Sequence, residues 1–174
     1  MRVHSVAVVV CALAAFAGRV PQGPAVSPAN QTDRRADLAA IEPLRQQDIT
    51  ATFSRDPVAL SEYWTDDAIR LGAGAPAEVG KKAIRASNER QTANKNFKVL
   101  SYAPEIKDFT FLDGGWTLEW RTYTGSFVDS PAGEAKHVRG TILAVYKKLP
   151  GGSWKCFRAM GCLEPGTPAK AGDL

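Results

Sequence analysis

The stretch Trp116–Phe127, WTLEWRTYTGSF, places a carboxylate, a guanidinium and a phenol at alternate positions: Glu119, Arg121 and Tyr123, with Thr117 ahead of them. Period-two alternation rich in aromatic and β-branched residues predicts a strand with two unlike faces. Trp116, Leu118 and Trp120 take one face and the polar set takes the other. Glu119 is a candidate general base if burial raises its pKa. Paired with Arg121 or Arg158, it would instead stay ionised and hold structure. Tyr63, Trp64, Phe109 and Trp120 are candidates for stacking on a ligand, or plain core. His137 stands at the start of a later strand, beside a turn, and is either a proton carrier or an exposed edge histidine.

Several other chemistries have no support in the residues. His137 is the only histidine outside the N-terminal segment and the cysteines lack Cys-x-x-Cys spacing, so no zinc site is expected. No Ser-His-Asp or phosphate-loop pattern occurs, because Gly72-Ala73-Gly74 lacks the lysine and helix that would cradle phosphate. No cofactor is expected. Lys plus Arg number 22 against 18 acidic residues, a net charge of +4, and the basic residues are scattered rather than clustered, so no nucleic-acid partner is expected either.

A chain of 174 residues, 44% hydrophobic and 23% charged, suits one globular domain. Residues 1–17 read as a signal peptide: Arg2 and His4 precede the apolar run Val6–Ala17, and Ala15-Phe16-Ala17 offers small residues at a cleavage site. About a dozen residues is too short to cross a bilayer roughly 30 Å thick. The expected location is therefore secreted or periplasmic, with no membrane association apart from export. Lipidation at Cys11 is less favoured, since Val10 sits where a small residue is wanted. Residues 18–33, rich in Pro, Gly, Gln and Asn, read as a flexible linker, and residues 163–174 as a disordered tail.

The domain, residues 34–162, opens with a predicted helix over Asp33–Arg55, with Leu38, Ile41, Leu44, Ile49 and Phe53 in helical rhythm and Pro43 interrupting it. A short helix is expected over Pro57–Trp64, capped by Asp56. Next come a turn at Thr65-Asp66-Asp67, a strand over Ala68–Leu71, a glycine-rich loop and a helix over Lys81–Thr92. Strands are expected over Phe97–Ile106, Lys107–Leu112, Trp116–Val128, His137–Leu149 and Ser153–Met160. Their short turns make the pairing antiparallel. Cys156 and Cys162 would lie roughly 20 Å apart in a continuous strand, so a disulfide requires the chain to turn back near Gly161. Otherwise Cys156 is a core residue and Cys162 a free thiol in the tail.

This order of elements resembles the NTF2-like superfamily: three N-terminal helices packed on a strongly curved, mainly antiparallel sheet, an α+β cone. Tyr63-Trp64-Thr65-Asp66-Asp67-Ala68, Val79-Gly80-Lys81-Lys82-Ala83-Ile84, Glu119-Trp120-Arg121-Thr122-Tyr123-Thr124-Gly125 and Gly151-Gly152-Ser153-Trp154-Lys155 are similar to motifs of its SnoaL-like / DUF4440 branch. The resemblance implies a pocket between helices and sheet, and a homodimer formed through the sheets. Ketosteroid isomerases of this superfamily use a carboxylate base after the first strand and a tyrosine from the first helix. Registering this chain on Asp66-Asp67-Ala68 puts Gly72 at the base position and Asp48 at the tyrosine position, so neither group is retained.

The expected function is binding of a small, largely apolar molecule, with Asp48, Tyr63, Trp64, Glu119, Arg121, Tyr123 and Arg158 lining the pocket. An isomerase, cyclase or lyase using Glu119, Asp48 or His137 is the alternative. A homodimeric interaction module without catalysis is the third reading.

Overall fold

The computed structural model describes residues 28–165. The expected signal peptide, most of the expected linker and the end of the expected tail lie outside the described residues. The first helix, α1, spans Pro28–Ser54, so residues 28–33 belong to a helix rather than to a linker. It runs through Pro43. Ile41, Leu44 and Ala51 form its buried stripe. Arg45, Asp48 and Thr52 fall on the same face by their three- and four-residue spacing. Leu38 and Phe53, expected in that stripe, are exposed. The inner positions on their side of the helix are taken by polar side chains instead.

Asp56 caps the next helix, its Oδ1 accepting from the backbone N–H of Val58 at 2.8 Å and of Ala59 at 3.3 Å. That helix, α2, is only Ala59–Glu62, shorter than expected, because Trp64 already opens strand β1 (Trp64–Leu71). The expected turn at Thr65-Asp66-Asp67 is part of that strand. β1 pairs in parallel with the last strand, and the register slips between Trp64 and Ile69, so the polar triplet is absorbed as an irregularity. A two-residue strand, β2 (Glu78–Val79), pairs antiparallel with β1. Helix α3 spans Lys81–Thr92, as predicted.

Four long strands complete the sheet: β3 (Lys98–Leu112), β4 (Trp116–Val128), β5 (Lys136–Lys148) and β6 (Trp154–Leu163). The two short strands expected before the first hairpin are one bulged strand, β3. It lies at the sheet edge, the position where a strand tolerates a proline such as Pro104. Gly114 and Gly115 turn the β3–β4 hairpin with φ of 74° and 77°. The strand order is β2-β1-β6-β5-β4-β3, antiparallel apart from β1–β6. The result is a curled sheet with helices on its concave side.

One apolar cluster joins α1 to the sheet through Ile41, Leu44, Tyr63, Trp64, Ile84, Tyr146, Trp154 and Cys156. A second gathers Phe97, Tyr123, Phe127 and Val138. Large side chains fully buried in such clusters each contribute about 1.5–3 kcal/mol. β6 continues through Gly161, so Cys156 and Cys162 stay in one extended run and both are free thiols. Cys156 is a core residue, whereas Cys162 lies in a strand and not in the tail.

Candidate functional site

The alternation along β4 is realised in space. Thr117, Glu119, Arg121 and Tyr123 are buried on the concave side, and Trp120 is exposed on the convex side. The inner pleat meets the polar positions of α1, and charges from the two elements neutralise each other.

Glu119 is completely buried. Its Oε2 accepts from Arg45 Nε at 2.9 Å and lies 2.7 Å from Arg45 Nη2. Its Oε1 accepts from the Tyr146 hydroxyl at 3.1 Å and lies 3.7 Å from Arg121 Nη1. Arg121 Nη2 in turn donates to Asp48 Oδ2 at 2.9 Å. Two carboxylates and two guanidiniums therefore alternate, Arg45–Glu119–Arg121–Asp48, with no net charge. The Tyr63 and Tyr146 hydroxyls lie 2.7 Å apart and extend the network toward α2.

Burial raises the Asp48 pKa, against the opposing pull of Arg121. Burial likewise lifts the phenols of Tyr63, Tyr146 and Tyr102 well above the ordinary tyrosine range, and Tyr123 to about 12. All four are hydroxyls at neutral pH. Burial works against the charge of Arg121, but the oxygens of Tyr63, Asp48, Tyr146 and Tyr102 outweigh it and raise its pKa.

Beside this network lies a cavity of about 210 Å³. Asp48, Tyr63, Trp64, Arg121 and Tyr123, five of the seven expected ligand residues, are in its wall. Leu60, Leu71, Ala73, Ala75, Ile142, Ala159 and Leu163 supply apolar surface. Gly72 is also in the wall, so the isomerase base position faces the cavity with no side chain to take a proton.

The other two expected ligand residues are elsewhere. Glu119 is not in the cavity wall, because its three polar neighbours, Arg45, Tyr146 and Arg121, enclose it. Arg158 donates to the carbonyls of Asp67 and Phe157 at 2.8 and 2.7 Å and stacks on the Phe157 ring. His137 is exposed, opposite Ser126 on the convex pleat, and away from the cavity. Of the three catalytic candidates, only Asp48 reaches the cavity.

Sequence reasoning missed Arg45, Arg70, Tyr102 and Tyr146. Arg45 had a signal: it shares the buried face of α1 with Ile41 and Asp48. Arg70 is held by Glu78 and by Asn88 Oδ1, the latter at 2.8 Å, and its place in the wall results from the slip in β1. No group of His, Cys, Asp and Glu among the described residues is arranged to hold a metal.

No family model and no curated protein matches the chain. Solved structures do. A ketosteroid isomerase-like protein from Erwinia carotovora atroseptica aligns at 24% identity and TM-score 0.63, over 73% of this chain and 95% of its own. A hexachlorocyclohexane dehydrochlorinase, LinA type 2, aligns at 16% identity and TM-score 0.67, over 77% and 89%. A putative scytalone dehydratase from Novosphingobium aromaticivorans aligns at 14% identity and TM-score 0.68, over 81% and 94%. With the helix-covered curled sheet, these alignments establish that the chain has the NTF2-like α+β cone fold.

Proposed function

We propose that the protein is exported and binds a small, largely apolar molecule in the cavity between α1, α2 and the sheet. The observation that carries this reading is the cavity itself: mostly apolar walls, with two ion pairs, Asp48–Arg121 and Arg70–Glu78, set into them. Apolar enclosure supplies affinity, and a few fixed polar groups set orientation. The SnoaL-like / DUF4440 motifs support the same reading. A thermal-shift screen against hydrophobic acids, steroids and polyketides tests it. A ligand at a hundred times its Kd should add about 2.7 kcal/mol, or roughly 5–10 °C in Tm. No shift across such chemically varied compounds overturns the reading. Of the three residues considered for an isomerase, cyclase or lyase activity, Asp48 lines the cavity, whereas Glu119 and His137 lie outside it.

A second reading, a homodimer through the sheet, is favoured by the convex face. Trp120, Leu143 and Met160 pair in register across β4, β5 and β6, and are 46%, 40% and 45% exposed. This apolar row spans about 10 Å at the usual strand spacing. Beside it lie Thr122 and Thr141, with Asp108 and Glu105 of β3 at the Trp120 end of the row. Light scattering should give twice the monomer mass, and Trp120→Glu should return it to the monomer. A wild-type monomer at every concentration overturns the dimer.

A further inference from the structure

The two ion pairs of the cavity wall are carried by strands far apart in the sheet. On the concave face one row runs Arg70, Ala159, Ala144, Glu119 across β1, β6, β5 and β4, each residue paired with the next. Arg121 is the next inward residue of β4 after Glu119. Both β5 and β6 therefore separate Arg70 from Arg121, three strand spacings, or about 14 Å between backbones. Arg121 Nη2 donates to Asp48 Oδ2 at 2.9 Å at one end. At the other, Arg70 pairs with Glu78 on β2, beyond β1, and its Nη1 donates to Asn88 Oδ1 at 2.8 Å.

The strands between these ends give the cavity an apolar floor, Ile142 of β5 and Ala159 of β6. Gly161 pairs with Ile142, which pairs with Arg121, so it faces the cavity between the two ion pairs. Its φ lies outside the left-handed region. Beyond its chain neighbours, an added Cβ would meet only the Leu71 carbonyl oxygen, at 3.9 Å. The missing side chain leaves a passage over β6 from one ion pair to the other. Both ends are open as well as polar: Asp48 and Glu78 keep 16% and 19% of their side-chain surface exposed. Each pair carries no net charge, so a neutral hydroxyl, which both donates and accepts, suits either.

From this arrangement we infer that the cavity takes an elongated molecule with an apolar middle and a neutral polar group at each end. It lies across β4, β5, β6 and β1, over Gly161. One end meets Asp48 and Arg121, the other Arg70 and Glu78, and Gly161 keeps the way between them clear. A single polar contact fixes one end of a ligand; two at a set separation select the placement of its polar groups as well. The inference rests on the binding reading above and adds to it the shape and polarity pattern of the ligand.

Calorimetric titration of the purified protein tests it with naphthalene, biphenyl and decalin bodies. Each carries one terminal hydroxyl, a hydroxyl at both ends of its long axis, or two hydroxyls on neighbouring positions. Whichever body binds, the form with a hydroxyl at each end should bind about tenfold tighter than the form with one, the worth of a second hydrogen bond to a charged group. The neighbouring pair should gain little over one. Glu78→Ala, a change on a two-residue edge strand, should remove most of the end-to-end advantage. Gly161→Leu should weaken every member by about tenfold or more, because its side chain occupies their path. An end-to-end form no tighter than the single hydroxyl overturns this inference and leaves the binding reading standing, as does a folded Gly161→Leu protein that binds like wild type. An undiminished advantage in Glu78→Ala overturns the role of its ion pair. No binding by any member overturns both readings. Should a variant not fold, the wild-type series decides alone.

Discussion

Glu119→Gln should lower the stability of the protein by about 3–5 kcal/mol, the range for removing one partner of a buried ion pair. At this chain length that is a fall in Tm of roughly 6–20 °C. The substitution keeps the shape of the side chain, so the loss reports charge and hydrogen bonding rather than a void. The glutamate oxygens accept from Arg45 on one side and Tyr146 on the other. An amide has one oxygen. Whichever way it turns, its NH2 displaces the hydrogen bond from Arg45 or the one from Tyr146, and the two guanidiniums flanking it, Arg45 and Arg121, lose a negative charge that little solvent can replace. A catalytic base would behave differently, with turnover lost and stability kept. Urea denaturation of the variant separates the two, and a wild-type midpoint would remove the network's structural role. Replacing Arg45 and Glu119 together by apolar residues should recover much of the loss, because no charge is then stranded.

Gly140→Ala should destabilise by about 3 kcal/mol, at the upper end for overpacking a core. Gly140 lies directly across from Tyr123 in the β4–β5 ladder, and the tyrosine ring folds over it. An added Cβ would sit 2.5–2.6 Å from the hydroxyl oxygen, Cε1 and Cζ of that ring. These are the rigid atoms of a buried aromatic, which cannot swing aside without leaving the Phe97–Phe127–Val138 cluster and the cavity wall. The measurement is a double-mutant cycle with Tyr123→Leu. With the ring gone, Gly140→Ala should cost far less, and additive losses would mean that the clash lies elsewhere.

The fold was largely legible in the sequence because its signals are local. The α3 and β4 bounds come from helical spacing and strict alternation, and the Asp56 cap from residue type alone. The candidate site was legible only in part. Alternation along β4 places Glu119 on the correct face but says nothing of depth, and depth separates a cavity carboxylate from an enclosed one. That difference was set by Arg45, a charged residue on a helical stripe whose rhythm was read from apolar residues only. Arg70 and Tyr102 come from β1 and β3, whose register slips between Trp64 and Ile69, between Val99 and Ser101, and between Ile106 and Asp108. A slip of one residue exchanges the two faces of a strand, so pattern alone could not aim them.

The parallel β1–β6 pairing also bears on biogenesis. Trp64 and Cys156 meet across roughly ninety intervening residues, and both strands contribute to the cavity wall. During synthesis this closure must wait for the final strand to leave the ribosome, and non-local pairings of this kind are slow to form. Until then the nascent chain holds unpaired edges open, the state in which partly made proteins aggregate or recruit chaperones.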